Sequence, residues 1–244
     1  MGKEKLIVAL DVDSLDKALR LVDQLQPHVG MFKVGMELYN AVGPQVLHAI
    51  HERGGKVFLD LKMHDIPTTV AKAARVLTRH GAAIINVHAA GGLAMLQATA
   101  SAVQDEAAVQ GIKPPQVIAV TVLTSMDQIA LNSQLNIPGT VQGQVVRWAK
   151  MAQQAGLHGV VASPWEIKAI RETCGDNFVI ITPGIRPMGT QKNDQERIMT
   201  PKEAVALGAT YLVIGRPITA ATDPVTAAKA IVAEISEVDG GTTC

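Results

Sequence analysis

The chain has 244 residues, enough for one large domain or two small ones, and 48% of them are hydrophobic. Its 22 basic residues balance its 22 acidic residues, so no overall field draws the protein to nucleic acid or to an anionic membrane surface. The two cysteines, Cys174 and Cys244, lack metal-ligand or redox-motif spacing, which favours a reducing cytoplasmic location.

Short apolar runs recur along the chain and predict β-strands. Asp11 interrupts the first run, so we expect neither a signal peptide nor a membrane span. The eight predicted strands are 6–10, 31–34, 57–61, 83–87, 117–122, 159–162, 179–182 and 211–214. Helical patterns lie between them at 15–24, 45–51, 69–78, 93–109 and 141–154.

The alternation of strand and helix predicts a parallel sheet of the α/β class. Eight such units in about 250 residues are typical of a (β/α)8 TIM barrel. We therefore expect a single barrel domain over residues 1–244, with residues 239–244 as a disordered tail. An open doubly wound sheet is the alternative, but no GxGxxG motif follows the first strand.

The most informative stretch is 57–67, where the third strand ends in three charges of alternating sign. These charges are Asp60, Lys62 and Asp65. Two carboxylates that flank an ammonium group keep the lysine protonated, which makes it a positioned proton donor. A structural ion-pair cluster would use the same residue types, so this stretch alone leaves both interpretations open.

Polar residues also accompany most of the other predicted strands, where a barrel carries its active site. They are Asp11 after the first strand, Lys33 within the second, His88 after the fourth, Thr124 and Ser125 after the fifth, Arg186 after the seventh, and Gly215 with Arg216 after the eighth. Charged residues are rarely buried without partners, so their convergence on one rim favours an active site. His88 itself is interpreted as a hydrogen-bonded wall residue.

The glycines and arginines after strands seven and eight predict a phosphate site. Barrel enzymes often bind phosphate there, and Arg216 can add a bidentate contact. Residues 188–196 are polar and predict a mobile lid that brings Gln195 to the ligand, with a plain surface loop as the alternative. His48 and His51 lie on a predicted outer helix and no HExxH motif occurs, so we expect no metal site.

These motifs resemble those of the orotidine 5′-monophosphate decarboxylase family over nearly the whole chain. The DxKxxD signature is present at residues 60–65 and is followed by Ile66 and Pro67. Supporting segments occur in order at 9–11, 32–35, 183–187 and 214–217. The DxKxxD element alone is moderately specific, and together with Lys33 and the two arginine loops it is a strong signature.

The resemblance implies that the protein converts orotidine 5′-monophosphate (OMP) to UMP and CO2 without a cofactor, as a homodimer with shared active sites. Lys62 is the implied proton donor to C6, Asp60 lies beside the departing carboxylate, Lys33 completes the charged array, and Asp65 joins it from the other subunit. The implied substrate-binding residues are Asp11, Lys33, Asp60, Ile66, Thr69 of the partner chain, either Thr124 or Ser125 at the base, and Arg186, Gln195, Gly215 and Arg216 near the phosphate.

Two other functions use similar residues. A sugar-phosphate lyase or aldolase on a related barrel also carries DxKxxD, but it needs a metal-ligating carboxylate where this chain has Lys33. A non-catalytic nucleotide-binding barrel would have no reason to keep Asp60, Lys62 and Asp65 together. A turnover assay in the presence of a chelator separates the three.

Overall fold

Each of the eight apolar runs forms a strand, and the strands close into a parallel barrel in chain order. The computed structural model describes residues 2–187 and 199–239. The strands are β1 Leu6–Ala9, β2 Met31–Gly35, β3 Val57–Met63, β4 Ile84–His88, β5 Gln116–Val120, β6 Gly159–Val161, β7 Val179–Pro183 and β8 Tyr211–Ile214. The expected single-domain (β/α)8 barrel is confirmed, with strand ends within two residues of those predicted.

Helices follow the strands and cover the outside of the barrel. They are α1 Leu15–Leu25, α2 Met36–Val42, α3 Gln45–His51, α4 Pro67–Arg79, α5 Gly92–Gln110, α6 Val141–Gln154, α7 Ile167–Cys174, α8 Pro201–Ala206, α9 Arg216–Thr219 and α10 Pro224–Asp239. Short 3-10 turns at Gly2–Lys5, Gln26–His28, Ala89–Gly91 and Pro164–Glu166 and a π turn at Ala130–Gln134 complete the connections.

The sequence pattern singled out α1, α3, α4, α5 and α6 but not the other helices. Of the latter, α9 has four residues, too few to show a helical period, whereas α2, α7, α8 and α10 are six to sixteen residues long and were missed. The predicted tail begins where α10 ends at Asp239, and residues 240–244 lie outside the described part of the chain.

The apolar core has two layers. The outer layer lies between the strands and the helices and includes Leu6, Val8 and Phe32, which are at most 1% exposed. The inner layer fills the barrel with alternate strand residues: Ile7, Ala9, Met31, Phe58, Ile84, Ile118, Val179, Ile181 and Val213.

Polar residues continue this inner layer toward the carboxyl ends of the strands. Side chains two residues apart on a strand face the same side. Lys33 therefore follows Met31 into the barrel, and Asp60 follows Phe58 in the same way. No helix in the described ranges 2–187 and 199–239 is long and apolar enough to cross a membrane.

Candidate active site

Four charged side chains form a continuous ion-pair cluster at the carboxyl ends of β1, β2 and β3. The Nζ of Lys33 lies 3.0 Å from Asp11 Oδ1 and 3.5 Å from Asp60 Oδ2. The Nζ of Lys62 lies 2.6 Å from Asp60 Oδ1. Asp60 thus bridges two ammonium groups, and the four side chains carry no net charge before a ligand binds.

Asp60 is the buried centre of this cluster. Its side chain is 13% exposed, compared with 31% for Lys62 and 62% for Asp11. Burial by itself raises the pKa of Asp60, but the charges of Lys33 and Lys62 and the hydrogen bonds from Lys62 and Asn86 outweigh it, so the pKa lies below its ordinary value. Asp60 is therefore ionised at neutral pH.

The backbone of β3 is irregular at Lys62. Leu59 pairs with Ile85 and Met63 pairs with Val87, so four steps along β3 face two steps along β4. Within this bulge, Lys62 has a φ of 52°, in the left-handed region that non-glycine residues seldom adopt. Such strain is typical of functional positions, where the surrounding structure holds it in place.

Asn86 on β4 contacts both catalytic candidates of β3, and the sequence analysis did not identify it. Its Nδ2 donates to Asp60 Oδ1 at 2.6 Å, and its Oδ1 accepts from the backbone N–H of Lys62 at 2.7 Å. The side chain is 1% exposed. The available signal was a single polar amide within the otherwise apolar run 83–87.

Two glycines provide room for the cluster. A Cβ on Gly35 would lie 3.0 Å from the Nζ of Lys33, and a Cβ on Gly215 would lie 3.6 Å from Asp11 Oδ2. A side chain at Gly35 would therefore press against the Lys33 ammonium, which two carboxylates hold in place.

Lys33, Asp60 and Lys62 line one side of a cavity of about 210 Å³. The remaining wall is mostly apolar and consists of Phe58, Val120, Val122, Leu123, Thr124, Val161, Ala162, Pro183 and Val213. An adjoining cleft of about 440 Å³ shares Thr124 with this cavity and also includes Ser125 and Gly184. A flat apolar ring with charged substituents on one edge suits such a cavity.

Asp65, the third charge of the DxKxxD motif, lies outside the cluster. Its Oδ1 accepts a hydrogen bond from the N–H of Ile66 at 2.6 Å, and among the described residues no ion pair joins it to Lys62. Asp65 and Thr69 are exposed, and Ile66 is 64% exposed. The motif therefore splits into an inward pair, Asp60 and Lys62, and an outward segment at the start of α4.

His88 at the end of β4 makes one backbone and two ring contacts, and it is not among the described residues that line the 210 Å³ cavity. Its Nδ1 accepts from the N–H of Ala90 at 3.2 Å, and its ring stacks on His64 with the centroids 5.4 Å apart. The rings of His88 and Trp148 are nearly perpendicular, with their centroids 5.9 Å apart. Burial, followed by the charges of His64 and Lys62, lowers the pKa of His88, so its ring is neutral at neutral pH.

The predicted phosphate residues lie in the loops after β7 and β8. Arg186 is half-buried, and its N–H donates to the Met199 carbonyl at 3.1 Å. Arg216 is exposed at the start of α9, next to Gly215. The whole predicted lid, residues 188–196, lies outside the described residues, and Gln195 with it.

The histidines of α3 lie away from the ion-pair cluster, on the helical layer outside the barrel. His48 is exposed on α3, and its ring meets the edge of His80 at 5.6 Å. In residues 2–187 and 199–239, no three His, Cys, Asp or Glu side chains converge to form a potential metal site.

Comparisons with known proteins agree with the motif resemblance. Residues 4–231 match the model of the "Orotidine 5'-phosphate decarboxylase / HUMPS family". An orotidine 5′-phosphate decarboxylase from Moorella thermoacetica is 60% identical over 97% of this chain and 94% of that protein. One from Syntrophomonas wolfei is 51% identical over 97% of this chain and 99% of that protein. The crystal structure of a Lactobacillus acidophilus orotidine 5′-phosphate decarboxylase matches with a TM-score of 0.84 and 39% identity, covering 94% of this chain and 98% of that chain.

Proposed function

Because the chain belongs to the orotidine 5′-phosphate decarboxylase / HUMPS family, we propose that it converts OMP to UMP and CO2, with Lys62 as the proton donor. The observation that carries the proposal is the array of Lys33, Asp60 and Lys62 along one side of a mainly apolar cavity. The pyrimidine ring occupies the cavity, with C6 facing the Lys62 ammonium.

Lys62 supplies the charge that the reaction requires. The bond from C6 to the carboxylate carbon breaks, CO2 leaves, and the electron pair stays on C6. The ammonium of Lys62 stabilises this developing negative charge and then donates a proton to C6. Solvent returns a proton to the Lys62 amine, so the step needs neither an electron sink nor a metal.

Asp60 and Lys33 keep Lys62 ready for this step. An ionised Asp60 holds the Lys62 ammonium at 2.6 Å. The substrate carboxylate lies beside Asp60, and Lys33 balances the additional negative charge. This fixed arrangement costs no reorganisation as the charge develops on C6.

The rest of the nucleotide binds along the rim. Asp11 and Lys33 bind the ribose hydroxyls. Gly215, Arg216, Arg186 and Gln195 bind the phosphate. The proximity of Gly215 to Asp11 supports a phosphate end next to the ribose end, since a Cβ on Gly215 would lie 3.6 Å from Asp11 Oδ2. Thr124 is favoured for the base contact because it lines the inner cavity as well as the adjoining cleft, whereas Ser125 lines the cleft.

A second copy of the chain completes each site. Asp65, Ile66 and Thr69 are exposed at the start of α4 instead of facing the Lys62 of their own chain. An exposed isoleucine beside a carboxylate of the catalytic motif suits a segment that is buried in a dimer. Asp65 then reaches the Lys62 of the partner chain and gives the lysine its second carboxylate.

The alternative within the family is a metal-dependent sugar-phosphate aldolase. Lys33 argues against it. A metal ion bound to Asp60 would need a second carboxylate nearby, and this chain instead has the Lys33 ammonium 3.5 Å from Asp60. The named relatives at 60% and 51% identity also favour decarboxylation.

The decisive experiment follows the ultraviolet absorbance of OMP in the presence of purified protein and EDTA. We expect the OMP absorbance to fall as UMP forms, at a rate that EDTA does not change. A metal-dependent aldolase would leave OMP intact and would lose activity toward sugar phosphates in EDTA. A non-catalytic barrel would bind UMP without turnover of OMP, and either result would contradict the proposal.

A further inference from the structure

Asn86 links the two catalytic candidates of β3 from the neighbouring strand. Its Nδ2 lies 2.6 Å from Asp60 Oδ1, and its Oδ1 lies 2.7 Å from the backbone nitrogen of Lys62. A carboxylate only accepts hydrogen bonds and a backbone N–H only donates, so these contacts fix the orientation of the amide group. No other uncharged side chain type of this size offers one donor and one acceptor in this arrangement.

The bulge of β3 explains why this second contact is needed. Between Leu59 and Met63 the strand leaves its register with β4, so the backbone N–H of Lys62 loses its regular partner in the ladder. An unpaired buried N–H is unfavourable, and the left-handed φ of 52° at Lys62 adds strain. The Oδ1 of Asn86 accepts the hydrogen bond that the sheet no longer provides.

We infer that Asn86 is a positioning residue for the reaction, which holds the Asp60 carboxylate and the Lys62 backbone in the geometry that proton transfer to C6 requires. The inference rests on the proposed decarboxylase function. Asp60 and Lys62 line the 210 Å³ cavity, whereas Asn86 is not among the described residues that line it. Asn86 therefore acts through its two neighbours and does not touch the substrate.

The first test is the kinetics of Asn86→Ala with OMP. Loss of both hydrogen bonds leaves the Asp60 carboxylate held only by its two ion pairs and lets the bulge at Lys62 relax. We expect kcat per folded molecule to fall about 100-fold, as a misplacement of about 1 Å can produce, with little change in KM. A residue that only maintained the fold would lower the amount of folded protein and leave kcat per folded molecule unchanged.

The second test is the pH profile of Asn86→Asp. A carboxylate here would lie at hydrogen-bond distance from Asp60, so the two groups would share one proton over a raised pH range. While that proton is bound, its O–H replaces the amide donor and the other oxygen still accepts from Lys62. We expect the kcat of this variant to approach that of the wild type at low pH and to fall as rising pH removes the shared proton. Over the same pH range we expect the wild-type kcat to stay constant, because an amide has no such proton to lose.

Thr99→Val provides the matched control. Thr99 is fully buried on α5, and its hydroxyl donates to the Met95 carbonyl at 2.8 Å, away from the cluster. We expect this variant to lower the melting temperature without changing kcat or the pH profile. Such a result shows that loss of a buried hydrogen bond alone does not change the kinetics.

The outcomes separate this inference from the proposed function. If wild-type protein does not decarboxylate OMP, the proposed function fails. If the wild type is active and both Asn86 variants keep its kcat per folded molecule and its pH profile, the positioning role is wrong. If Asn86→Ala does not fold, the pH profile of Asn86→Asp decides the question alone.

Discussion

At the scale of single residues, the central pair is asymmetric. Asp60 has a second hydrogen bond from Asn86 and a second cation in Lys33, whereas the Lys62 side chain is more exposed, at 31% compared with 13%. The carboxylate is thus the fixed member, and the ammonium is the member that can reach a ligand in the cavity. This asymmetry suits a lysine that donates a proton.

Lys62→Ala is expected to lower kcat by about 10³-fold, because a positioned general acid contributes on that order, while UMP binding is largely kept. Steady-state kinetics with OMP and calorimetric titration with UMP measure the two effects. The control is Lys113→Ala, which changes an exposed lysine ahead of β5 and should leave both unchanged. Near wild-type turnover in Lys62→Ala would show that another group protonates C6.

Asp60 links folding stability to pH. Its pKa in the folded protein lies below the ordinary value of 3.8, so it stabilises the fold above pH 3.8, and this contribution is lost as pH falls through the lowered pKa. Asp60→Asn should therefore cost about 3 kcal/mol at pH 7, because it leaves Lys33 and Lys62 without their shared partner. Urea unfolding of both proteins from pH 7 to pH 3 tests this. A difference that did not shrink at the acidic end would contradict the ionised state of Asp60.

Arg216→Ala tests the phosphate assignment. Loss of a charge-assisted hydrogen bond to phosphate should raise the KM for OMP by about 10- to 100-fold and also lower kcat, since phosphate binding helps to orient the ring. Orotidine, which lacks the phosphate, should be insensitive to the same change. An equally large effect on orotidine would indicate that Arg216 supports the fold or the base site.

At the scale of secondary-structure elements, β3 performs two tasks. Its first half, with Val57, Phe58 and Leu59 at most 1% exposed, is an ordinary buried strand of the barrel. Its second half leaves the register with β4 and carries Asp60 and Lys62 into the cavity. The buried half fixes the position from which the irregular half projects.

β6 is only three residues long and depends on Gly159 for its place in the barrel. A Cβ at Gly159 would lie 2.0 Å from the carbonyl oxygen of Val179 on β7. Gly159→Ala should therefore destabilise the protein by about 3 kcal/mol or more through overpacking. Thermal unfolding measures the loss.

Gly111→Ala is the control for this change. Gly111 has a positive φ of 64°, which Gly159 does not, and a Cβ there meets nothing within 4 Å. We expect a cost of about 1 kcal/mol from the left-handed conformation alone. Equal losses in the two variants would mean that the contact with Val179 is relieved by a small movement of the strands.

At the scale of the whole molecule, barrel closure brings distant sequence segments together. Asp11, Lys33 and Asp60 come from three consecutive βα units. In the barrel, the Lys33 ammonium lies 3.0 Å from the Asp11 carboxylate and 3.5 Å from the Asp60 carboxylate. Thr124 and Pro183 join them from the opposite side of the cavity. The exposed segment of Asp65 and Ile66 is the part of the motif that this closure leaves outside.

A shared active site makes a prediction for mixed dimers. Lys62→Ala and Asp65→Asn should each be inactive alone, because each removes one contribution to every site. Subunit exchange creates heterodimers with one intact site and one doubly altered site. Random mixing should restore roughly a quarter of the wild-type activity per total site, by the symmetry of a two-fold dimer.

Exchange itself must be measured in the same samples, for example by energy transfer between labelled subunits. If exchange is complete and no activity returns, Asp65 acts within its own chain and the shared-site proposal is wrong. Exchange between two preparations of Lys62→Ala is the control and should restore no activity.

The sequence by itself predicted the eight strands and the barrel that they form, because apolar runs that alternate with helical patterns leave few parallel arrangements. It also identified Asp60 and Lys62, since charges at the end of a buried strand require a reason. It did not identify Asn86, because an amide in the apolar run 83–87 carries no charge signal and its partners are 24 and 26 residues earlier in the chain.

The tertiary structure decided the remaining features of the site. The bulge at Lys62 arises from mismatched pairing of β3 with β4, and local sequence does not specify pairing between strands. The contact of Lys33 with Asp60 depends on the stagger of β2 against β3, which barrel closure sets. The apolar runs in the sequence thus predicted where the strands lie, but both faces of these strands are apolar. The tertiary structure decided which face lies inside the barrel, and the register between strands decided which of the inward side chains meet.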